Sequence, residues 1–168
     1  MPDQMKPFVH TPTPLIRPKP GHRLIFSYDL MMDESVMRER CPDPRFICVG
    51  RYLSHRLIWN EDGKVSMVPR RDFTVHGVIW EISEVAQTGL DLQLGVPNPF
   101  DRYGALVRGP NNELASVEYY SARNHRHGVA EPVALGRLIE VAKRLNFTAD
   151  YIGELMDWCS GPTAVERQ

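Results

Sequence analysis

The chain has 168 residues, of which 42% are hydrophobic and 24% charged, enough to bury the core of one domain without disulfides or a structural metal. Twenty-one acidic residues against 20 basic ones leave a formal charge of -1, so no bulk attraction to nucleic acid or to an anionic membrane follows. No apolar run approaches the length of a membrane span, no basic-then-apolar leader opens the chain, and three cysteines without CxxC spacing (Cys41, Cys48, Cys159) fit a reducing cytoplasm better than a disulfide framework or a zinc site.

Residues 1–21 carry Pro2, Pro7, Pro12, Pro14, Pro18 and Pro20, six of the 14 prolines. That density cannot propagate a helix or a sheet ladder. It reads as an extended arm, either a disordered tail or a segment lying over the domain or over a partner subunit. Met5, Phe8, Val9, Leu15 and Ile16 favour partial docking. The domain is expected at 22–160, with a short tail at 161–168.

Its first strand is RLIFSY, Arg23–Tyr28, and a helix follows over Asp33–Arg40. Asp33 is the expected N-cap, and Pro42 and Pro44 stop the helix. Phe46–Asn60 is strand-rich, and Gly50 marks an expected bulge or bend. Asn60-Glu61-Asp62-Gly63 carries the Asp-Gly hairpin signature, and Val65, Met67 and Pro69 begin the return strand. Val75–Ile82 is nearly continuous in apolar character, which suits a central strand. A short helix-like segment ends in LDLQLGV. Tyr103–Arg108 and Leu114–Ala122 then form a hairpin through Gly-Pro-Asn-Asn. The last third turns helical. Val133, Leu135, Leu138, Ile139, Ala142 and Leu145 share a face behind Pro132, and a final helix over Ala149–Trp158 follows Thr148 as N-cap. Strands followed by helices, without regular βαβ alternation, give an α+β domain. Neither GxGxxG nor GxxxxGK[ST] is present, so no nucleotide cofactor is expected.

The order VHGVIWEIS, then LDLQLGV, then a strand with Tyr103 resembles the core of the γ-glutamylcyclotransferase-like family. That family carries VWGVLWEL, a helical stretch ending LDxxEGV, and a strand beginning with tyrosine. RLIFSYDLMM sits where the family has a strand ending FxYGSNL. His55-Arg56-Leu57 falls on its YRL, Tyr119 on a later hairpin tyrosine, and EPVALGRLIEVAKRLNFTADYIGEL on its helical tail. The resemblance implies a small mixed β-barrel flanked by helices. The implied pocket is lined here by Tyr28, Asp29, Leu30, Met31, Leu94, Tyr103 and Tyr119. Family enzymes cyclise a γ-glutamyl group to 5-oxoproline. The α-amino group attacks the γ-carbonyl, and the glutamate of LDxxEGV moves the protons.

Two departures fall in that pocket. The glutamate position is Leu94, which can neither donate nor accept a proton, and losing a general acid/base costs ~10²–10⁴-fold. The YGSN turn is Tyr28-Asp29-Leu30-Met31. In the family its small residues let backbone N–H groups approach the substrate carboxylate as an anion nest. Asp29 places a carboxylate there instead, and Leu30 and Met31 add apolar bulk. The expected protein is therefore a divergent member without classical cyclotransferase activity. It would bind a small ligand or a partner protein through an apolar-acidic cleft, with the N-terminal arm as a route to a partner or a homo-oligomer. The alternative is an active enzyme on a γ-glutamyl or other amide or acyl substrate, with Asp29 or Asp91 in proton transfer. Burial would raise the Asp29 pKa and make it a proton donor. Asp91, three residues before Leu94, matches an aspartate that is mostly structural in the family.

Other candidates are weaker. Glu81 is expected to be solvent-facing or at a barrel end, and Glu118 could point inward beside Tyr119. His125-x-His127 could ligate a metal from a strand, but no third ligand is near. A mobile polar loop is the better expectation, and no metal is assigned. Arg70 and Arg71 form either a local anion surface or a solvated edge.

Overall fold

A computed structural model describes residues 12–160. The strands are β1 (Leu15–Ile16), β2 (His22–Ser27), β3 (Arg45–Trp59), β4 (Val65–Ser83), β5 (Phe100–Arg108) and β6 (Leu114–Ala122). The helices are α1 (Glu34–Arg40), α2 (Glu84–Leu94), α3 (Pro132–Arg144) and α4 (Ala149–Asp157). The sheet runs β1-β6-β2-β4-β3-β5, and β5 also pairs with β6. Strands β6, β2, β4, β3 and β5 thus close a five-stranded barrel, which leaves few free edges. It is a mixed barrel: β2 and β6 run parallel, and the other barrel pairs are antiparallel.

The two expected strands at 65–69 and 75–82 are one element. They join where Leu53 pairs with Thr74 and His55 with Pro69. Ser54 alone therefore faces Arg70, Arg71, Asp72 and Phe73, and Ser54 and Asp72 both take positive φ. This bulge bends the long hairpin and turns the Arg70-Arg71 pair out to solvent. Gly50, the expected bulge, is instead in register opposite Gly77. Both glycines sit where barrel strands crowd. A Cβ on Gly77 would lie 2.3 Å from the Ser27 carbonyl oxygen and 2.6 Å from the Phe26 ring.

Phe26, Ile58, Ile79, Ile82, Leu90 and Leu138 are essentially inaccessible to solvent and centre the core. Each contributes about 1.5–3 kcal/mol by its burial. Helix α3 buries Leu135, Leu138, Val141 and Ala142. Val133 is 63% exposed, contrary to expectation. Its partners one turn on are Gly136 and Arg137, both exposed, so it lies off the buried stripe. Asp33 and Thr148 cap α1 and α4 as expected, accepting from Ser35 and Tyr151 N–H groups.

The described part of the arm lies on its own barrel. Leu15 and Ile16 pair in parallel with Leu114 and Ala115, and the Lys19 N–H donates to Glu81. Met5, Phe8 and Val9, like the tail 161–168, lie outside the described residues. Glu81 is 1% exposed rather than solvent-facing. Arg45 binds it through two nitrogens, at 3.2 and 3.0 Å, and holds its carboxyl below the ordinary value with help from Lys19.

Candidate functional site

Strand β2 ends at Ser27, and Tyr28 and Asp29 lead into a 3-10 turn, Leu30–Met32. Asp29 caps that turn: the Met31 N–H donates to its Oδ1 at 3.0 Å. The carboxyl is half-buried, and burial pushes it up from its ordinary range against the pull of the Met31 N–H and Arg40. Leu94 is the last residue of α2. Gly95 follows at φ +72° as a left-handed C-cap, its N–H bonded to the Asp91 and Leu92 carbonyls. These two chain reversals bring Asp29, Leu30, Met31 and Leu94 to one open cleft of about 440 Å³.

Val36, Trp59, Val65, Phe100 and Ala134 complete the apolar part of its wall. Its charged part is basic as well as acidic. Arg40 from the end of α1, Lys64 from the β3–β4 turn and Arg137 from α3 stand against Asp29 and Glu39. These cations come from three elements distant in sequence, so no local motif announced them. The apolar-acidic cleft expected from sequence is therefore an apolar cleft with mixed charge in which cations predominate.

The tyrosines are placed elsewhere. Tyr28 is buried and its hydroxyl donates to the Tyr120 carbonyl at 2.6 Å. Its ring meets Tyr119 edge-on at 6.2 Å, and Tyr103 stacks on Tyr119 at 5.5 Å. None of these three lines the cleft. Burial pushes the Tyr119 hydroxyl up to about 12, so it stays protonated at neutral pH.

Asp91 is not brought to the cleft either. Its Oδ1 accepts from the Tyr120 hydroxyl and its Oδ2 from Arg102, each at 2.6 Å. Arg102 also holds Glu118 at 2.9 Å, and the Gln87 amide donates to Glu118. This network ties α2 to β5 and β6. Charge-assisted bonds of that kind occupy a carboxylate's lone pairs and fix its position, so Asp91 and Glu118 work as clamps between elements.

The segment Asn124–Gly128 is tied down. The Gly128 N–H donates to the Trp59 carbonyl at 2.8 Å and Asn60 Nδ2 to the Asn124 carbonyl at 2.9 Å. A Cβ on Gly128 would strike the Asn60 carbonyl at 2.1 Å. His125 Nδ1 lies 2.6 Å from Ser66 Oγ. This is a serine–histidine pair that the sequence did not reveal, because its members are 59 positions apart. Ser66 is fully buried and also bonds Ser121 and the Ala122 carbonyl, so its hydroxyl is closed to substrate. Among the described residues, no group of three or more His, Cys, Asp or Glu is placed to hold a metal. Burial raises the thiol pKa values of Cys41 and Cys48, the latter to about 11, which disfavours the reactive thiolate. No helix among the described residues is long and apolar enough to cross a membrane.

No family model matches the sequence, and no curated protein matches it significantly. Solved structures do match the fold. A γ-glutamyl cyclotransferase superposes with a TM-score of 0.73 at 20% identity, over 80% of this chain and 86% of that one. An uncharacterized human protein gives 0.74 at 20% identity, over 81% and 87%. A yeast γ-glutamyl cyclotransferase specific to glutathione gives 0.53 at 10% identity, over 83% and 96%. The chain has the γ-glutamylcyclotransferase-like α+β barrel fold, in a divergent sequence.

Proposed function

We propose that this chain is a divergent γ-glutamylcyclotransferase-like protein that binds a small ligand in the cleft between the Asp29 turn and Leu94 and does not catalyse classical γ-glutamyl cyclisation. The observation that carries the reading is the Asp29–Met31 hydrogen bond. The resemblance implies that backbone N–H groups of this turn receive the substrate's carboxylate. Here the chain's own carboxylate accepts the Met31 N–H, which removes a donor from any incoming anion. Leu94, at the implied position of the proton-transfer glutamate, presents an apolar side chain to the same cleft. Recognition and proton transfer are thus both altered.

A second reading keeps catalysis and assigns proton transfer to Asp29, whose carboxyl is raised by burial and which lines the cleft. A general acid is best poised when its pKa approaches the working pH. Asp91 is the weaker candidate, since Tyr120 and Arg102 each hold one of its oxygens and it does not line the cleft. The two readings separate in one assay: 5-oxoproline release from a panel of γ-glutamyl peptides and amines by the wild type and by Asp29→Asn. The binding reading expects no release above the protein-free rate from either. Release by the wild type that is lost in Asp29→Asn, with folding intact, selects the second.

A further inference from the structure

We infer that the cleft takes an amphipathic monocarboxylate, an aliphatic or aromatic acid whose apolar body lies against Leu30, Met31, Val65, Leu94 and Phe100 and whose carboxylate reaches the basic rim. The inference rests on the proposed reading of the cleft as a ligand site and names its ligand class.

The charge arrangement carries it. Arg23, Arg38, Arg45, Arg102 and Arg144 each sit within 4 Å of a carboxylate. Arg40, Lys64 and Arg137 line one cleft, and none of them forms an ion pair with another described residue. Three elements thus deliver to a single concavity cations that have no ion pair among the described residues. Against them stand Glu39 and Asp29. Three cations and two carboxylates sum to +1. A single negative charge balances that site, whereas a diphosphate would overfill it.

The walls supply the other half of the specificity. A cavity of about 440 Å³ is within the range of small-molecule sites, where apolar walls supply affinity and a few polar groups fix orientation. Leu94 enlarges the apolar surface at the point where a family glutamate would repel a carboxylate. Affinity should therefore climb about fourfold for each methylene added to the ligand until the cleft is filled.

The test is a titration of the full chain by calorimetry and by intrinsic tryptophan fluorescence, since Trp59 lines the cleft. The probes are hexanoate, octanoate and decanoate, with decanol and decylamine as neutral and cationic controls, all below their aggregation concentrations. Saturable 1:1 binding is expected that strengthens with chain length, at least tenfold tighter for decanoate than for decanol, and absent for decylamine. Arg137 is exposed and Lys64 half-buried; Arg137→Glu and Lys64→Glu should each weaken decanoate at least fivefold while leaving decanol unchanged. Arg137→Gln is the milder variant if charge reversal disturbs folding. No saturable decanoate binding, or equal binding of decanoate and decanol, overturns the ligand class, as does a rim variant without effect. The same preparation is assayed for 5-oxoproline release. Release would overturn the proposed function. Silence in that assay together with no decanoate binding would overturn this inference alone.

Discussion

Replacing Gly77 by alanine tests whether the barrel positions the cleft. Gly77 lies in β4, opposite Gly50 of β3. An alanine methyl there would be 2.3 Å from the Ser27 carbonyl oxygen and 2.6 to 2.7 Å from two atoms of the Phe26 ring. The oxygen is backbone and the ring is 1% exposed, so neither yields as a free side-chain end does. Overpacking of this kind costs about 1–3 kcal/mol and sometimes more. Contact with two rigid neighbours places Gly77→Ala near the top, at about 3 kcal/mol. For a chain of this size that lowers the melting temperature by roughly 6–12 °C. Because Ser27 leads directly into Tyr28 and Asp29, the displaced carbonyl should also disturb the cap at Met31. Gly104→Ala is the matched control. It lies in barrel strand β5, nothing is within 4 Å of its added methyl, and its φ is not positive. It should stay within about 0.5 kcal/mol of wild type. Urea and thermal unfolding followed by circular dichroism measure both. Gly77→Ala within about 1 kcal/mol of wild type would refute the crowding argument.

Three other outcomes follow from the same geometry. Tyr120→Phe removes the hydroxyl that donates to Asp91 at 2.6 Å and should cost about 1.5–3 kcal/mol in urea unfolding, while ligand affinity in the cleft stays unchanged. Arg45 and Lys19 hold the Glu81 carboxyl below its ordinary value near 4.5. The folded state therefore binds fewer protons than the unfolded state just below that pH. Stability falls as pH drops through the window, and Glu81→Gln should flatten that limb of a stability-against-pH curve. Asp29 has the opposite sign. Its folded pKa is raised from 3.8, so its contribution declines as pH rises above that value. Asn at this position can still accept the Met31 N–H. Asp29→Asn should therefore gain on wild type from pH 4 upward, and the gain should vanish in stronger acid.

Much of the fold was legible because its signals are local. Asp33 and Thr148 announced their helices by capping, Asp62-Gly63 announced a hairpin, and Gly109-Pro110-Asn111-Asn112 another. The ordered strings VHGVIWEIS and LDLQLGV pointed to the barrel. Local signals failed where the cause was non-local. Gly50 looked like a bulge, but its lack of a side chain serves close packing on Ile79. The register breaks at Ile47 and Ser54 are set by pairing with β4, which no single strand encodes. Glu81 read as exposed because a carboxylate in a strand usually is, yet Arg45 and Lys19 cover it from 36 and 62 positions away. At the candidate site, Asp29 and Leu94 were found through resemblance to a motif. The basic rim was missed because Arg40, Lys64 and Arg137 share nothing in sequence beyond charge.

The central question is whether the Asp29 carboxylate occupies the place of a ligand carboxylate. Calorimetric titration of γ-glutamyl-alanine into the wild type and into Asp29→Gly measures this directly. Glycine frees the Met31 N–H and removes the acid from the turn. No measurable binding to the wild type and a gain of binding in Asp29→Gly is the predicted result. Equal binding to both, or binding to the wild type that Asp29→Gly loses, would contradict it.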